Sequence, residues 1–319
     1  MSTPEPPFGE LRVLHKRLIA SNILWFELRH PHGQLLAPFS AGAHITVQTP
    51  SGARRNYSLC GDPAHLQTYQ IAIRRDAQGR GGSRSMADGL AVGDGLKTSQ
   101  PRNHFELDAR ARQFLFIAGG IGITPILSMM RHLKRQGGAG FQLVYCTRDA
   151  PGTAFADVLT DEFPGHCLIH HDGGDVAKTY DLWPALEAPT ATHVYCCGPK
   201  GLMDAVADMS GHWPSHQIHF ESFGLDTHAL PPNQPFSVRL QASQSVLAVG
   251  ADESLLQALR RCGHTVPSSC ESGTCGTCRT RLVQGVADHR DMVLMDDEKQ
   301  TYIMPCVSRA KSAELVLAL

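Results

Sequence analysis

Apolar and polar positions along the chain change their period twice, and each change marks a different kind of unit. Between residues 11 and 98 the apolar residues fall in short runs rich in β-branched and aromatic side chains, at 11–18, 23–28, 44–48, 57–59 and 69–75, separated by Gly, Pro and Asp clusters. Short runs punctuated in this way predict strands, and several in so short a stretch predict a small antiparallel barrel. From Gln113 onward the pattern becomes an alternation of apolar runs and helical stretches: 114–118, then 124–136, then 142–146, and later 193–197 before 199–209. That alternation predicts a parallel sheet covered by helices, a doubly wound α/β unit. Residues 225–235 contain Pro231, Pro232 and Pro235 with little apolar content and read as a linker. Beyond it, 236–241 and 245–249 predict a hairpin, 252–261 a helix ending before Gly263, and a cysteine-rich loop follows. The fold class is therefore multidomain α+β, with units expected at residues 1–108, 109–226 and 234–319.

Length agrees with this division, because 319 residues is more than one core ordinarily holds. With 42% hydrophobic and 18% charged residues the composition is that of a folded globular protein. Lys and Arg number 29 against 30 Asp and Glu, which gives no footprint for nucleic acid or an anionic membrane. Residues 1–10 are polar and Pro-rich, without the apolar core of a secretory signal. The longest apolar stretch, 114–130, is broken by Gly119, Gly120, Gly122 and Pro125 and falls short of a membrane span. Ten cysteines in such a chain predict a reducing, cytoplasmic setting in which clustered thiols serve as ligands.

The cysteines carry the most specific signal. Cys270, Cys275 and Cys278 follow a C-x4-C-x2-C spacing, and Cys306 follows after 27 intervening residues, which is the pattern of plant-type [2Fe-2S] ligation. Two irons bridged by sulfide need four thiolates close together. The small residues Ser272, Gly273, Thr274, Gly276 and Thr277 let a loop curl tightly enough to supply three of them. Zinc is the alternative occupant, although paired C-x2-C knuckles are its commoner signature. Cys60, Cys146, Cys167, Cys196 and Cys262 have no such company and read as small core residues. His289-Arg290-Asp291 matches a kinase catalytic loop in its letters alone, since no Asp-Phe-Gly accompanies it.

Two further segments are suited to phosphate. Residues 114–118 run into Gly119-Gly120-Ile121-Gly122-Ile123-Thr124-Pro125 and then into a helical repeat of Ile126, Leu127, Met130 and Leu133. Thr124 reads as the N-cap, Pro125 as the first helical position and Gly137 as the stop, leaving free amides for an anion. A second strand, 194–197, meets Gly198-Pro199 in the same manner, and two such strand ends side by side form a dinucleotide crevice. Cys197 at that strand's tip is either a nicotinamide contact or a core thiol. Thr147-Arg148-Asp149 ends the next strand with both a partner for a 2'-phosphate and an acceptor for a ribose, so the choice of dinucleotide stays open. In the barrel, Arg55 and the loop Gly79-Arg80-Gly81-Gly82-Ser83 offer a cation, amides and a hydroxyl for a flavin phosphate. Alternation alone would bury Tyr57 and Leu59 and turn Arg55 to solvent.

Together, Arg55-Asn56-Tyr57-Ser58-Leu59, the run from Gly119 to Pro125, Cys197-Gly198-Pro199 and the four clustered cysteines resemble the phthalate dioxygenase reductase family. The resemblance covers nearly the whole chain and is close in Pro101-Arg102-Asn103, at 193–198, in Gly211-His212-Trp213-Pro214, at 219–224, and from Val266 through Cys278 to Arg290-Asp291-Met292. It implies an antiparallel β-barrel flavin domain, a nicotinamide domain and a C-terminal plant-type ferredoxin domain of β-grasp fold, in that order. It further implies FMN, with Arg55 and Gly81-Gly82-Ser83 on the phosphate. Asn56 stands where the family carries threonine, and its amide can serve the same phosphate. Around the flavin the resemblance places Tyr57, Ser58, Ala72, Ile73, Arg74 and Thr124, with Phe223 on the isoalloxazine, and it implies NADH as the donor.

Such a reductase takes a hydride from NADH onto the flavin, with Ser58 the hydrogen-bonding group for the ring nitrogen. It then passes electrons singly to the cluster and on to a Rieske-type oxygenase, by resemblance phthalate dioxygenase. The resemblance also implies a monomer. A reductase of the same architecture serving another oxygenase or an O-demethylase, and a cluster-bearing redox sensor, are the other functions this sequence admits.

Overall fold

A computed structural model of the chain describes residues 8–79, 81–223, 232–268, 271, 273, 276–291 and 293–319. The chain divides into two compact units, 1–222 and 223–319.

In the first unit, β1 (Gly9–Ala20) and β2 (Ile23–Arg29) form a hairpin whose tight turn holds Asn22 in the left-handed region at φ 59°, a conformation Asn tolerates better than most residues. With β3 (His44–Gln48), β4 (Arg54–Ser58), β5 (Thr68–Arg74) and β6 (Gly95–Thr98) they make one antiparallel sheet of order β4-β3-β6-β1-β2-β5. The two ends of that order meet. Leu59 bridges Ile71, and Cys60 N donates to Gln70 O at 2.9 Å, so the sheet closes into a six-stranded barrel and leaves no long edge. Alternate residues fill its interior, among them Val13, Phe26, Leu28, Ile45, Val47, Leu59, Ile71 and Ile73. Helix α1 (Gly82–Gly89) adds Met86 to this core.

The barrel leads into β7 (Gln113–Gly119), α2 (Ile123–Gln136), β8 (Gly140–Thr147), α3 (Ala156–Glu162), β9 (Cys167–His171), α4 (Trp183–Leu186), β10 (Thr192–Cys197), α5 (Lys200–Met209) and β11 (Ile218–Glu221). All five strands are parallel, in the order β11-β10-β7-β8-β9. The order reverses between β7 and β10, and the crevice beyond the C-terminal ends of those strands is where α/β sheets bind ligands. One face packs Phe114, Phe116 and Ala118 against Ile126, Leu127 and Met130 of α2; the other packs Ile117, Val194 and Cys196 against Leu186, Met203 and Val206. The doubly wound expectation is met.

Barrel and sheet share one core, because Trp25, Cys60 and Ala72 of the barrel belong to the same buried cluster as Phe116 and Ile126. Polar ties reinforce it. Arg131 on α2 donates to both carboxylate oxygens of Glu162, at 2.9 and 2.6 Å, and to Cys60 O at 2.9 Å. Tyr195 Oη donates to Glu106 O at 3.0 Å and accepts from Asp108 N at 2.8 Å, which fastens the connecting segment to β10.

The second unit contains β12 (Phe236–Leu240), β13 (Val246–Val249), α6 (Leu255–Arg261), β14 (Thr280–Gln284), β15 (Ala287–Asp288), β16 (Tyr302–Ile303), β17 (Arg309–Ala310) and β18 (Glu314–Leu317). A mixed sheet of order β13-β12-β18-β14-β16, with β12 and β18 parallel, carries α6 on its apolar face through Leu255, Leu256 and Leu259; β15 and β17 form a separate ribbon. This is the β-grasp arrangement. A capping box starts α6: Gln257 N donates to Ser254 Oγ at 3.2 Å, and Ser254 N donates to the Gln257 side chain at 2.8 Å. The cap moves the helix start to Leu255 from the expected residue 252.

Three other expectations need correction. Helix α2 begins two residues early with Gly122 as its N-cap, and Thr124 lies inside it with its hydroxyl donating to Ile121 O at 3.0 Å. Cys262 is exposed and is no core residue, because it follows the last turn of α6. The strands β6 and β9 and the helix α1 fall between the runs read from the sequence and are not among the expected elements. Within the expected linker, residues 224–231 lie outside the described residues.

Candidate active site

The chemistry-bearing residues of the first unit converge where the end of β4 meets the C-terminal ends of β7, β10 and β11. Gly122 sits under β10 so closely that a Cβ there would lie 2.0 Å from Cys197 O. Gly119 and Gly198 face each other in the same manner: a Cβ on Gly119 would meet Pro199 Cδ at 2.5 Å, and one on Gly198 would meet Gly119 Cα at 3.0 Å. Glycine is thus required by close approach of two backbones. Gly120, at φ 53°, has open space around it and is glycine for its conformation. Tyr145 Oη donates to Gly120 O at 3.0 Å and fixes the turn from β8. No side chain caps the start of α2, but Ile123 N already donates to Gly120 O and Ile121 O and Pro125 has no amide proton, so the turn itself uses part of the helix start that the sequence offered to an anion. Thr147, Arg148 and Asp149 end β8 next in the sheet. Thr147 Oγ1 is occupied by Thr153 Oγ1 and His171 Nδ1, each at 2.8 Å, and Asp149 accepts from Gly152 N at 2.7 Å, while Arg148 is exposed.

Ser58 closes β4 and is buried; its hydroxyl donates to Glu221 Oε2 at 3.3 Å. Glu221 ends β11 in register with Cys197 at the end of β10. The three groups thus come from strands far apart in sequence and meet at one point. Burial holds the Glu221 carboxyl up at about 8, against the lowering effect of the Ser58 hydrogen bond, so it carries a proton at neutral pH. Burial also pushes the Cys197 thiol well above its usual 9.0, with Glu221 and Cys196 adding to the rise. Cys197 is therefore a neutral, apolar-walled thiol rather than a nucleophile. Glu221 escaped the sequence reading.

A second cradle lies at the start of α1. Gly81 caps the helix at φ 83° with no side-chain cap, and a Cβ on Gly82 would lie 2.9 Å from Arg55 Nε. Arg55 therefore lies against the free amides of the helix start instead of turning to solvent. Ser83 Oγ accepts from Asp76 N at 3.2 Å, which leaves its own proton for another acceptor. On the same strand, Tyr57 Oη is buried without a hydrogen-bond partner among the described residues. An orphaned phenol beside a cationic helix start fits a flavin, which presents acceptors and a phosphate. Asn56 accepts from Thr46 Oγ1 at 2.7 Å. Strand β5 borders the Gly120–Gly122 turn, which brings in Ala72 and the exposed Arg74, but the Ile73 side chain points into the barrel core and leaves only its backbone for a ligand. Phe223 is exposed and belongs to the second unit.

In that unit Cys278 and Cys306 are buried, at 2% and 1% exposure, in the core around α6. Cys270 and Cys275 lie outside the described residues. Glu271, Gly273 and Gly276 have φ of 50°, 80° and 74°, the repeated left-handed turns that a tightly curled ligand loop needs. Arg260 donates to Glu271 Oε1 at 2.7 Å and also to Ser268 Oγ, tying the loop to α6. The two buried thiols with this loop fit a four-thiolate cluster.

The fold and these sites define a modular electron-transfer reductase, in which a barrel and a nucleotide-binding sheet are joined to a [2Fe-2S] unit. The 2Fe-2S iron-sulfur cluster binding domain family matches residues 238–311. The phthalate 4,5-dioxygenase oxygenase reductase subunit of Pseudomonas putida is 55% identical over 98% of this chain and 97% of its own length. Phthalate dioxygenase reductase of Burkholderia cepacia is 54% identical over 100% of both chains. A solved phthalate dioxygenase reductase, described as a modular structure for electron transfer from pyridine nucleotides to [2Fe-2S], superposes with a TM-score of 0.91 at 54% identity over 98% of each chain. The chain belongs to the phthalate dioxygenase reductase family. It is an oxidoreductase that passes electrons from a pyridine nucleotide to a [2Fe-2S] centre. Its relatives are reductase subunits of oxygenase systems, and no helix among the described residues is long and apolar enough to cross a membrane.

Proposed function

We propose that the chain is the NADH-dependent FMN reductase of a two-component aromatic-ring dioxygenase, with phthalate dioxygenase as its cytoplasmic partner and the three units divided at 1–108, 109–226 and 234–319. The observation that carries this reading is the meeting of Ser58, Cys197 and Glu221 at the sheet's switch point, beside a barrel mouth fitted for a flavin. Identity of 55% and 54% to the two phthalate relatives, against 40% to the vanillate O-demethylase oxidoreductase of a Pseudomonas strain, supports phthalate over an aryl ether as the substrate system.

Arg55, Gly81, Gly82 and Ser83 would hold the flavin phosphate. Tyr57, Ser58, Ala72, Ile73, Arg74 and Thr124 would border the ring system. Gly119, Gly122, Gly198 and Pro199 bring the ends of β7 and β10 together, and Gly120 leaves open space beside them for the dinucleotide, with Thr147, Arg148 and Asp149 toward its adenosine end. When bound, the flavin accepts two electrons together and releases them singly, which is the conversion a one-electron cluster requires. Ser58 places its hydroxyl at the reacting edge, and Glu221, protonated at neutral pH, holds a proton one hydrogen bond behind it. The neutral Cys197 thiol supplies an apolar contact that keeps water from the transfer site. Cys270, Cys275, Cys278 and Cys306 would hold the cluster.

Cys278→Ser tests the reading. It should abolish NADH-driven reduction of cytochrome c while ferricyanide reduction, which needs only the first unit, stays within about twofold of wild type. Equal loss of both activities would overturn the proposed division of labour, and FAD in place of FMN among the released cofactors would overturn the flavin assignment.

A further inference from the structure

Asp291 is a buried carboxylate built into the packing between the cysteine loop and the turn after Cys306. Its side chain is 0% exposed. One oxygen accepts from Leu294 N at 2.8 Å and Val293 N at 3.3 Å, and the other accepts from Ser308 Oγ at 3.2 Å. Ser308 is itself buried, stands two residues beyond Cys306, and also accepts from Arg290 N at 3.2 Å. On the other side, a Cβ on Gly273 would lie 3.2 Å from Asp291 Cα and 2.7 Å from Val307 Cγ2. Gly273, between Cys270 and Cys275, therefore packs directly on the Asp291 backbone. Asp291 touches the loop that carries the first ligands and the turn that carries the last.

The donors around it satisfy hydrogen bonding without cancelling the charge. Two are neutral amides and one is a neutral hydroxyl; His289 Nδ1 stands farther off, at 3.7 Å from Oδ1, and the Lys299 ammonium, which donates to Asp296 Oδ1 at 2.7 Å, acts on Asp291 only through space. The adjacent guanidinium of Arg290 is spent elsewhere, on Asp288 Oδ2 at 2.6 Å and Asn233 Oδ1 at 2.7 Å. A buried charge with no direct ion pair to a lysine or arginine acts over a longer range than one in water, and the potential of an iron-sulfur centre follows the charge and hydrogen bonding around it. We infer that Asp291 is a positioning residue of the cluster cage whose fixed negative charge lowers the cluster's reduction potential, resisting premature filling of the cluster and making its electron easier to pass on. This rests on the [2Fe-2S] assignment.

The test is a redox titration of the purified holoprotein, with iron content and the cluster's electron paramagnetic resonance spectrum measured alongside. Asp291→Asn keeps the shape and can still accept from Leu294 N, but removes the charge. At the wild-type midpoint its cluster should show a reduced-to-oxidised ratio about tenfold higher, equivalent to about 59 mV for a one-electron couple. Ser308→Ala keeps the charge but withdraws one donor dipole from it, so its ratio should move the opposite way. Opposite shifts with full iron and unchanged spectra establish the role. An Asp291→Asn protein with full iron and the wild-type midpoint overturns it. So does a Ser308→Ala midpoint that is unchanged or higher, whether or not Asp291→Asn retains iron. Absence of a [2Fe-2S] signal from the wild type would instead defeat the underlying assignment.

Discussion

Replacing Glu221 with Gln should make the first unit more stable at alkaline pH and leave it nearly unaltered in acid. Glu221 is held at about 8 against a usual 4.5, chiefly because burial disfavours its charge. The folded protein therefore binds this proton more tightly than the unfolded chain does. Stability from that source is fully present below 4.5 and is lost progressively as pH rises to about 8. The difference, 8 minus 4.5 or about 3.5, multiplied by about 1.4 kcal/mol for each tenfold change in proton affinity, sets an upper bound of about 5 kcal/mol. Gln keeps a hydrogen-bonding partner for Ser58 and never ionises, so it removes the loss without removing the contact. Thermal unfolding followed by flavin release reports on this unit, and for a unit of this size each kcal/mol moves the midpoint by roughly 2–4 °C. The variant should match wild type near pH 5 and exceed it by several degrees near pH 9. A gap that stays constant across the range, or that widens in acid, would refute the reasoning.

Two further predictions follow from the glycine turns and the thiols. Gly122→Ala must displace the Cys197 carbonyl, which a Cβ would approach to 2.0 Å, and should abolish pyridine-nucleotide binding in a fluorescence titration; Gly120→Ala has open space and should cost only about 1–2 kcal/mol of stability for its left-handed backbone. In native protein treated with iodoacetamide at mildly alkaline pH, mass spectrometry should find Cys262 modified and Cys197 untouched, because the first is exposed and the second is buried with its thiol held protonated. Rapid alkylation of Cys197 would contradict its assignment as a neutral wall of the site.

The parts legible in the sequence are those whose constraint is local. Strand, glycine turn and helix follow one another within a few residues at β7 and α2, and a ligand loop must carry its cysteines at fixed spacing, so both can be read from the order of letters. The alternation in the barrel strands likewise reports one buried face. Glu221 was not legible, because its role depends on register with Cys197 and on a hydrogen bond to Ser58, 163 residues away. Thr124 looked like a cap by residue type, but the tucking of Gly122 beneath β10 starts α2 earlier and turns the Thr124 hydroxyl back to Ile121. Strand β9 mixes Cys, Leu, Ile and His with no clean alternation, and its place is fixed by pairing with β8 rather than by its own pattern.

The central claim is a relay with a fixed order, and anaerobic stopped-flow mixing of the oxidised protein with NADH tests it most directly. Flavin absorbance should bleach first, with cluster absorbance following in a slower phase that Cys306→Ser removes while leaving the first phase intact. Cluster reduction that precedes flavin bleaching, or that survives when the flavin has been stripped from the protein, would contradict the account.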